Sequence, residues 1–112
     1  MKRIEAIIRP EKLDAVRAAL EKVGYSGLMI SEVEGHGKQK GVVQQWRGEK
    51  YKVDLLPKIK LEIIVRDQEL ERTVKTITDN AKTGEIGDGK IFVSNVENAI
   101  RIRTGERGED AL

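Results

Sequence analysis

At 112 residues, 36% of them charged, the chain is sized for one compact domain with a well-solvated surface. Lys and Arg number 21 against 19 Asp and Glu, a net charge of +2, whereas a dedicated nucleic-acid binder would be lopsidedly basic. The absence of cysteine excludes disulfides and thiolate metal sites, and His36, the sole histidine, excludes a histidine cluster for metal.

Met1 to Glu5 runs straight into a strand-like pattern, with no signal peptide before it and no apolar run near the ~20 residues of a membrane helix. A cytoplasmic protein is expected, reaching a membrane only through a partner. In residues 2–9, Ile4, Ala6 and Ile8 alternate with Arg3, Glu5 and Ile7 as in a half-buried strand. Pro10 stops the ladder and suits the first turn of a helix. From Glu11 to Val23, the residues Leu13, Val16, Leu20 and Val23 form one apolar stripe, and Gly24 ends the helix. Residues 28–34 read as a second strand.

Beyond a glycine-bearing stretch, Ile59, Leu61, Ile63 and Val65 alternate with Lys58, Lys60, Glu62 and Ile64, the clearest strand of the chain. Asp67 is placed to cap a second helix, striped by Leu70, Val74, Ile77 and Ala81. Residues 82–90 are glycine-rich and polar, Ile91 to Val96 is a fourth strand, and Ala99 to Arg103 is a short extended piece. Two βαβ halves in one domain, 1–112, predict an α+β fold: a ferredoxin-like βαββαβ sandwich with both helices on one face.

Three segments offer chemistry. The stretch 36–54, HGKQKGVVQQWRGEKYKVD, is far longer than a hairpin connection, and it carries Trp46 and Tyr51, which are costly to expose. The plainer alternative is that residues 42–55 extend the flanking strands into a longer hairpin. In TGEIGDGK, Thr83 to Lys90, glycines let backbone N–H groups turn toward an anion, with Lys90 as a point charge. No Ser or Thr follows the lysine, so this is no Walker A loop, and an ordinary turn before a strand fits equally. In a strand, Arg101 and Arg103 would share one side ~6.8 Å apart, suiting a polyphosphate or merely guarding a sheet edge. Lys58, if it lines a cleft, needs an anionic partner. No catalytic set is present, and His36 reads as a solvated loop residue.

Together these segments resemble the PII family of nitrogen-regulatory signal transducers, the GlnB/GlnK proteins. The similarity rests on KRIEAIIRP, GHGKQKG, RGEKYKVDLLPKIKLEIIV, TGEIGDGKIFV and IRIRTGE; RPEKL and the ending GEDAL look closer to archaeal members. The resemblance implies a homotrimer that binds ATP or ADP competitively in clefts between subunits, with loops at 36–54 (the T-loop), 82–90 and 102–112. It implies that Gly87, Asp88, Gly89 and Lys90 hold ribose and phosphates, that Arg101 and Arg103 reach them from the neighbouring chain, and that Ile7, Gly35, Glu62 and Ile64 line the adenine pocket, with Gly37 and Lys38 nearby. Gln39 would ligate Mg²⁺. Lys58 would pair with a 2-oxoglutarate carboxylate, with Gly37, Gln39, Lys40 and Gly41 completing that site.

The implied targets are the ammonium transporter and glutamine synthetase, docked through the loop around Trp46, Arg47 and Tyr51. Tyr51 stands where some members are uridylylated, and Glu49 excludes the serine phosphorylation of others. Met29 replaces a threonine whose hydroxyl reads adenine, and Lys38 replaces an arginine, keeping charge but losing the planar fork.

Two other classes compete. An RNA-recognition module shares the βαββαβ order but stacks bases on aromatic residues of central strands. Here Phe92 alone is expected in a strand, with Tyr25, Trp46 and Tyr51 in turns or loops. A dedicated enzyme is not expected; slow ATP hydrolysis is the most that the residues suggest.

Overall fold

The computed structural model describes residues 1–25, 27–35, 42–46, 49–53 and 56–112, and for 42–46 and 49–53 it describes the backbone alone. Strand β1 (Lys2–Ile8) leads through a 3-10 turn with Pro10 at its start into helix α1 (Leu13–Lys22). The helix closes with Gly24 N–H on the Glu21 carbonyl and Tyr25 N–H on the Leu20 carbonyl, the paired bonds of a Schellman ending. Strands β2 (Met29–Gly35) and β5 (Leu56–Val65), helix α2 (Leu70–Ala81) and strand β6 (Lys90–Asn95) complete the domain.

The main sheet is four-stranded in the order β2-β5-β1-β6, and every neighbouring pair is antiparallel. This is the ferredoxin-like arrangement, and its topology follows from the alternation in the two central strands. Ile4, Ala6 and Ile8 of β1 and Ile59, Leu61, Ile63 and Val65 of β5 all point to one side, none more than 6% exposed. They meet Val16 and Leu20 of α1 and Ile77 and Ala81 of α2. Each buried Val, Leu or Ile here contributes about 1.5–3 kcal/mol, so the central pair holds the sheet. The edge strands β2 and β6 lie mostly exposed.

Three local expectations change. Asp67 does not cap α2: it opens a 3-10 turn (Asp67–Glu69), and its carboxylate takes the α-amino group of Met1 at 2.9 Å, a stronger donor than a helix N–H. Ala99 to Arg103 is not an extended strand. One bridge joins Ile100 to Arg107, and the chain turns between them, with Gly105 N–H on the Arg101 carbonyl at 2.7 Å. Arg101 and Arg103 therefore do not share a strand face. Third, residues 42–46 and 49–53 form β3 (Val42–Trp46) and β4 (Glu49–Val53), paired from Val42↔Val53 to Trp46↔Glu49. That ladder is a sheet of its own, separate from the β2–β5 ladder that ends at Gly35↔Leu56.

Candidate functional site

The sheet face away from the helices carries Glu5 and Ile7 of β1 and Lys58, Lys60, Glu62 and Ile64 of β5, all half-buried. Register places Lys60, Ile7 and Lys90 in one row across β5, β1 and β6, and Met29, Glu62, Glu5 and Phe92 in another. Glu5 lies between two cations, Arg3 at 3.3 Å and Lys60 at 3.6 Å. At the end of this face the 82–90 segment crosses over the last residues of β1. A side chain at Gly89 would put its Cβ 1.7 Å from the Ile7 carbonyl oxygen, and its φ is +99°, so only glycine fits this crossing.

Side chains from two strands then fasten the loop. Arg9, just past β1, donates from Nε to Asp88 Oδ1 at 3.1 Å and from Nη2 to the Ile86 carbonyl at 2.9 Å. Lys58 of β5 donates to the Gly87 carbonyl at 2.7 Å. Burial and the neighbouring Arg9 charge lower the Lys58 pKa. Asp88 is also gripped from within the loop, by the Thr83 hydroxyl and by the N–H groups of Thr83 and Gly84. The Thr83 hydroxyl bond, then those N–H groups and Arg9, hold its carboxyl well below the usual carboxylate range. Among the described residues, the N–H groups of Gly87, Asp88 and Gly89 have no hydrogen-bond partner. Three successive donors beside Lys90 make a concavity suited to an anion.

An apolar cavity of about 310 Å³ lies behind the loop, between α2 and the ends of β1 and β6, with Ile7, Asp88, Gly89 and Lys90 in its lining. A second, of about 370 Å³, lies beside Gly24 and Gly27 and the end of β5 and is lined in part by Ile64, Tyr25 and Leu112. Ile7 and Ile64, both expected at adenine, thus line different cavities of one chain. The Tyr25 hydroxyl is buried and, among the described residues, has no hydrogen-bond partner.

Of the expected site residues, Ile7, Lys58 and Gly87 to Lys90 come together at one end of the sheet face. Glu62, Ile64 and Met29 lie along the same sheet, Met29 opposite Glu62 on the edge strand and 53% exposed. Gly35 ends β2. Arg101 binds within its own C-terminal segment, and no described contact brings it or Arg103 to the 82–90 loop. His36, Gly37, Lys38, Gln39, Lys40, Gly41 and Arg47 lie outside the described residues, as do the side chains of Trp46 and Tyr51. The backbones of Trp46 and Tyr51 are in β3 and β4, which corrects their assignment to a loop. In the main sheet Phe92 remains the one aromatic residue, and it is on edge strand β6 rather than a central strand. Sequence reading missed Arg9 and Thr83, although Arg9 stands at the exit of β1 and Thr83 opens the TGEIGDGK segment.

The family model described as nitrogen regulatory protein P-II matches residues 1–106. The chain is 56% identical to the nitrogen regulatory protein P-II of Bradyrhizobium diazoefficiens and 55% identical to that of Haemophilus influenzae, over 112 residues and the full length of each partner. It is 54% identical to nitrogen regulatory protein P-II 1 of the archaeon Methanothermobacter thermautotrophicus, covering all of this chain and 97% of that one. These identities do not separate bacterial from archaeal relatives.

Proposed function

This chain belongs to the nitrogen regulatory protein P-II family, and on that premise we propose that it is a nucleotide-gated sensor whose 82–90 loop takes the phosphates of ATP or ADP. The family's proteins are regulators rather than conventional enzymes. The observation that carries the nucleotide reading is the group of unpartnered N–H donors at Gly87, Asp88 and Gly89 beside Lys90.

Adenine would lie against Ile7, Gly35, Glu62, Ile64 and Met29. Because Ile7 and Ile64 line different cavities of one chain, the reading places the nucleotide between copies, in a homotrimer where Arg101 and Arg103 come from the neighbour. Exposed Phe92, Val93, Ile30, Ile100 and Ile102 supply apolar surface for such an assembly. Among the described residues no group of three or more His, Asp or Glu can hold a metal. A Mg²⁺ ion would be held chiefly by phosphate oxygens, with Gln39 as its protein ligand. When bound, the ion would neutralise phosphate charge and offer a coordination point to a carboxylate.

The second ligand proposed is 2-oxoglutarate, with Lys58 on one carboxylate and the backbone of Gly37, Gln39, Lys40 and Gly41 around the other end. The target would be the ammonium transporter or glutamine synthetase, engaged through Trp46, Arg47 and Tyr51. Among the described residues no helix is long and apolar enough to cross a membrane. The reading adopted places the protein in the cytoplasm, meeting a membrane through the transporter.

Calorimetry with Mg-ATP, with and without 2-oxoglutarate, tests both ligands. Binding of 2-oxoglutarate should require Mg-ATP, and its absence under both conditions rejects metabolite sensing. Lys58→Met should weaken 2-oxoglutarate binding by about tenfold or more through loss of a charge-assisted bond. Its effect on ATP should be smaller, reflecting the lost contact to the Gly87 carbonyl. Equal losses for both ligands would show that Lys58 serves the loop and not the metabolite.

A further inference from the structure

We propose that the Asp88 carboxylate positions the phosphate loop and is not itself a ligand of the nucleotide, being set in place by Thr83 and Arg9, while the Asp88 N–H stays among the phosphate donors. The inference rests on the nucleotide reading above and assigns roles within that site.

An ionised carboxylate has about four acceptor positions, and Asp88 uses four. Oδ1 accepts from the Thr83 hydroxyl and from Arg9 Nε; Oδ2 accepts from Thr83 N–H at 2.9 Å and Gly84 N–H at 2.8 Å. Nothing is left to receive a ribose hydroxyl, and a carboxylate aimed at phosphate would repel it. Turned inward, the same group closes residues 83–88 into a ring. The Thr83 hydroxyl also accepts the N–H of Glu85, bracing the ring's first corner.

The ring consumes the N–H groups of Thr83, Gly84 and Glu85 and leaves those of Ile86, Gly87, Asp88 and Gly89 over, the last three beside Lys90. Two outside fixtures then set where these donors stand. Arg9 holds Asp88 and the Ile86 carbonyl together, and Gly89 rests on the Ile7 carbonyl. The donor array is therefore held by the chain's own contacts, which lowers the ordering cost of binding. Arg9 also offsets the Asp88 charge next to the anion site.

The test is ADP binding measured by calorimetry on the unmodified protein and on Thr83→Ser, Thr83→Val and Asp88→Asn, with thermal midpoints alongside. Thr83→Ser keeps the hydroxyl and should bind within about twofold of the unmodified protein. Thr83→Val fills the same space without it and should lose about five- to tenfold, with Asp88→Asn losing at least as much. Rescue by serine separates positioning from a general loss of fold, and if Asp88→Asn does not fold, the Thr83 pair decides alone. Unmodified affinity in Thr83→Val overturns the proposal. So does a large loss confined to Asp88→Asn, which would make the Asp88 carboxylate a direct ligand. Failure of the unmodified protein to bind ADP rejects the nucleotide reading itself, a different outcome from either.

Discussion

The 82–90 loop and the 99–112 segment are both surface turns gathered around a single charged side chain, and they leave opposite groups free. In the loop Asp88 collects donors, which leaves backbone N–H groups and Lys90 facing outward. In the C-terminal segment Arg101 collects acceptors: Glu106 Oε1 at 2.7 Å and the carbonyls of Asp110 and Leu112 at 3.2 and 3.3 Å. What remains outward there is side chain, with Ile102 fully exposed and Arg103 beside it. A small anion needs convergent backbone donors, whereas another protein surface needs protruding apolar and charged groups. The sign of the hub thus decides what kind of partner each turn can meet.

The largest test of this contrast compares glycines. Gly89 and Gly105 both have positive φ, but a Cβ at Gly89 collides with the Ile7 backbone, whereas at Gly105 it meets nothing within 4 Å. Gly105→Ala should therefore cost only the backbone strain, about 1–2 kcal/mol. Gly89→Ala adds a collision that no rotamer can relieve and should cost about 3 kcal/mol or more. It should also disturb the start of β6 pairing at Ile7↔Lys90. Denaturant unfolding of the two variants checks the ranking, and equal losses would mean that the loop is not seated on β1.

A smaller effect is expected at the other hub. Arg101→Ala removes the contacts to Glu106, Asp110 and Leu112, and because the guanidinium is partly solvated the loss should be about 1 kcal/mol. Residues 104–112 should become sensitive to protease. Arg103→Ala removes no described contact and should leave both stability and cleavage unchanged. If Arg103→Ala loosened the tail as much, the tail would not be organised around Arg101.

The same contrast separates what the sequence displayed from what it hid. Alternation in β1 and β5 was legible because burial on one face imposes a period of two, and the succession of two βαβ halves pointed to the ferredoxin-like sheet. The 82–90 loop stood out by its glycines. Its fastenings did not, since Arg9 is 79 residues from Asp88 and nothing in local spacing announces that pair. Arg101 and Arg103 misled for a related reason. Their i, i+2 spacing suits a strand, but backbone bonds from Gly105 to Arg101 and from Gly108 to Ala99 close the chain into a turn, and the spacing of two arginines carries no sign of them. Asp67 likewise had a competitor that helix-capping rules do not consider, the chain's own amino group.

The narrowest prediction concerns acid. The Asp88 carboxyl is held below its ordinary range, chiefly by the Thr83 hydroxyl, so the folded state keeps it ionised at pH values where the unfolded chain would take up a proton. A depressed folded pKa contributes stability that is complete above the unfolded value near pH 4 and fades as pH falls toward the folded one. Stability of the unmodified protein should therefore decline through this window with up to about one proton taken up on unfolding from this site. Asp88→Asn removes that proton, so its acid limb should be flatter below pH 4 while the curves run parallel above pH 5. The Thr83→Val variant should fall between them, because it removes the leading cause of the shift but keeps the carboxylate. Denaturant midpoints collected from pH 2 to 7 decide it: an unchanged acid limb in Asp88→Asn would mean that the carboxylate is not held by the loop in solution, and the contrast between the two hubs would lose its donor-collecting half.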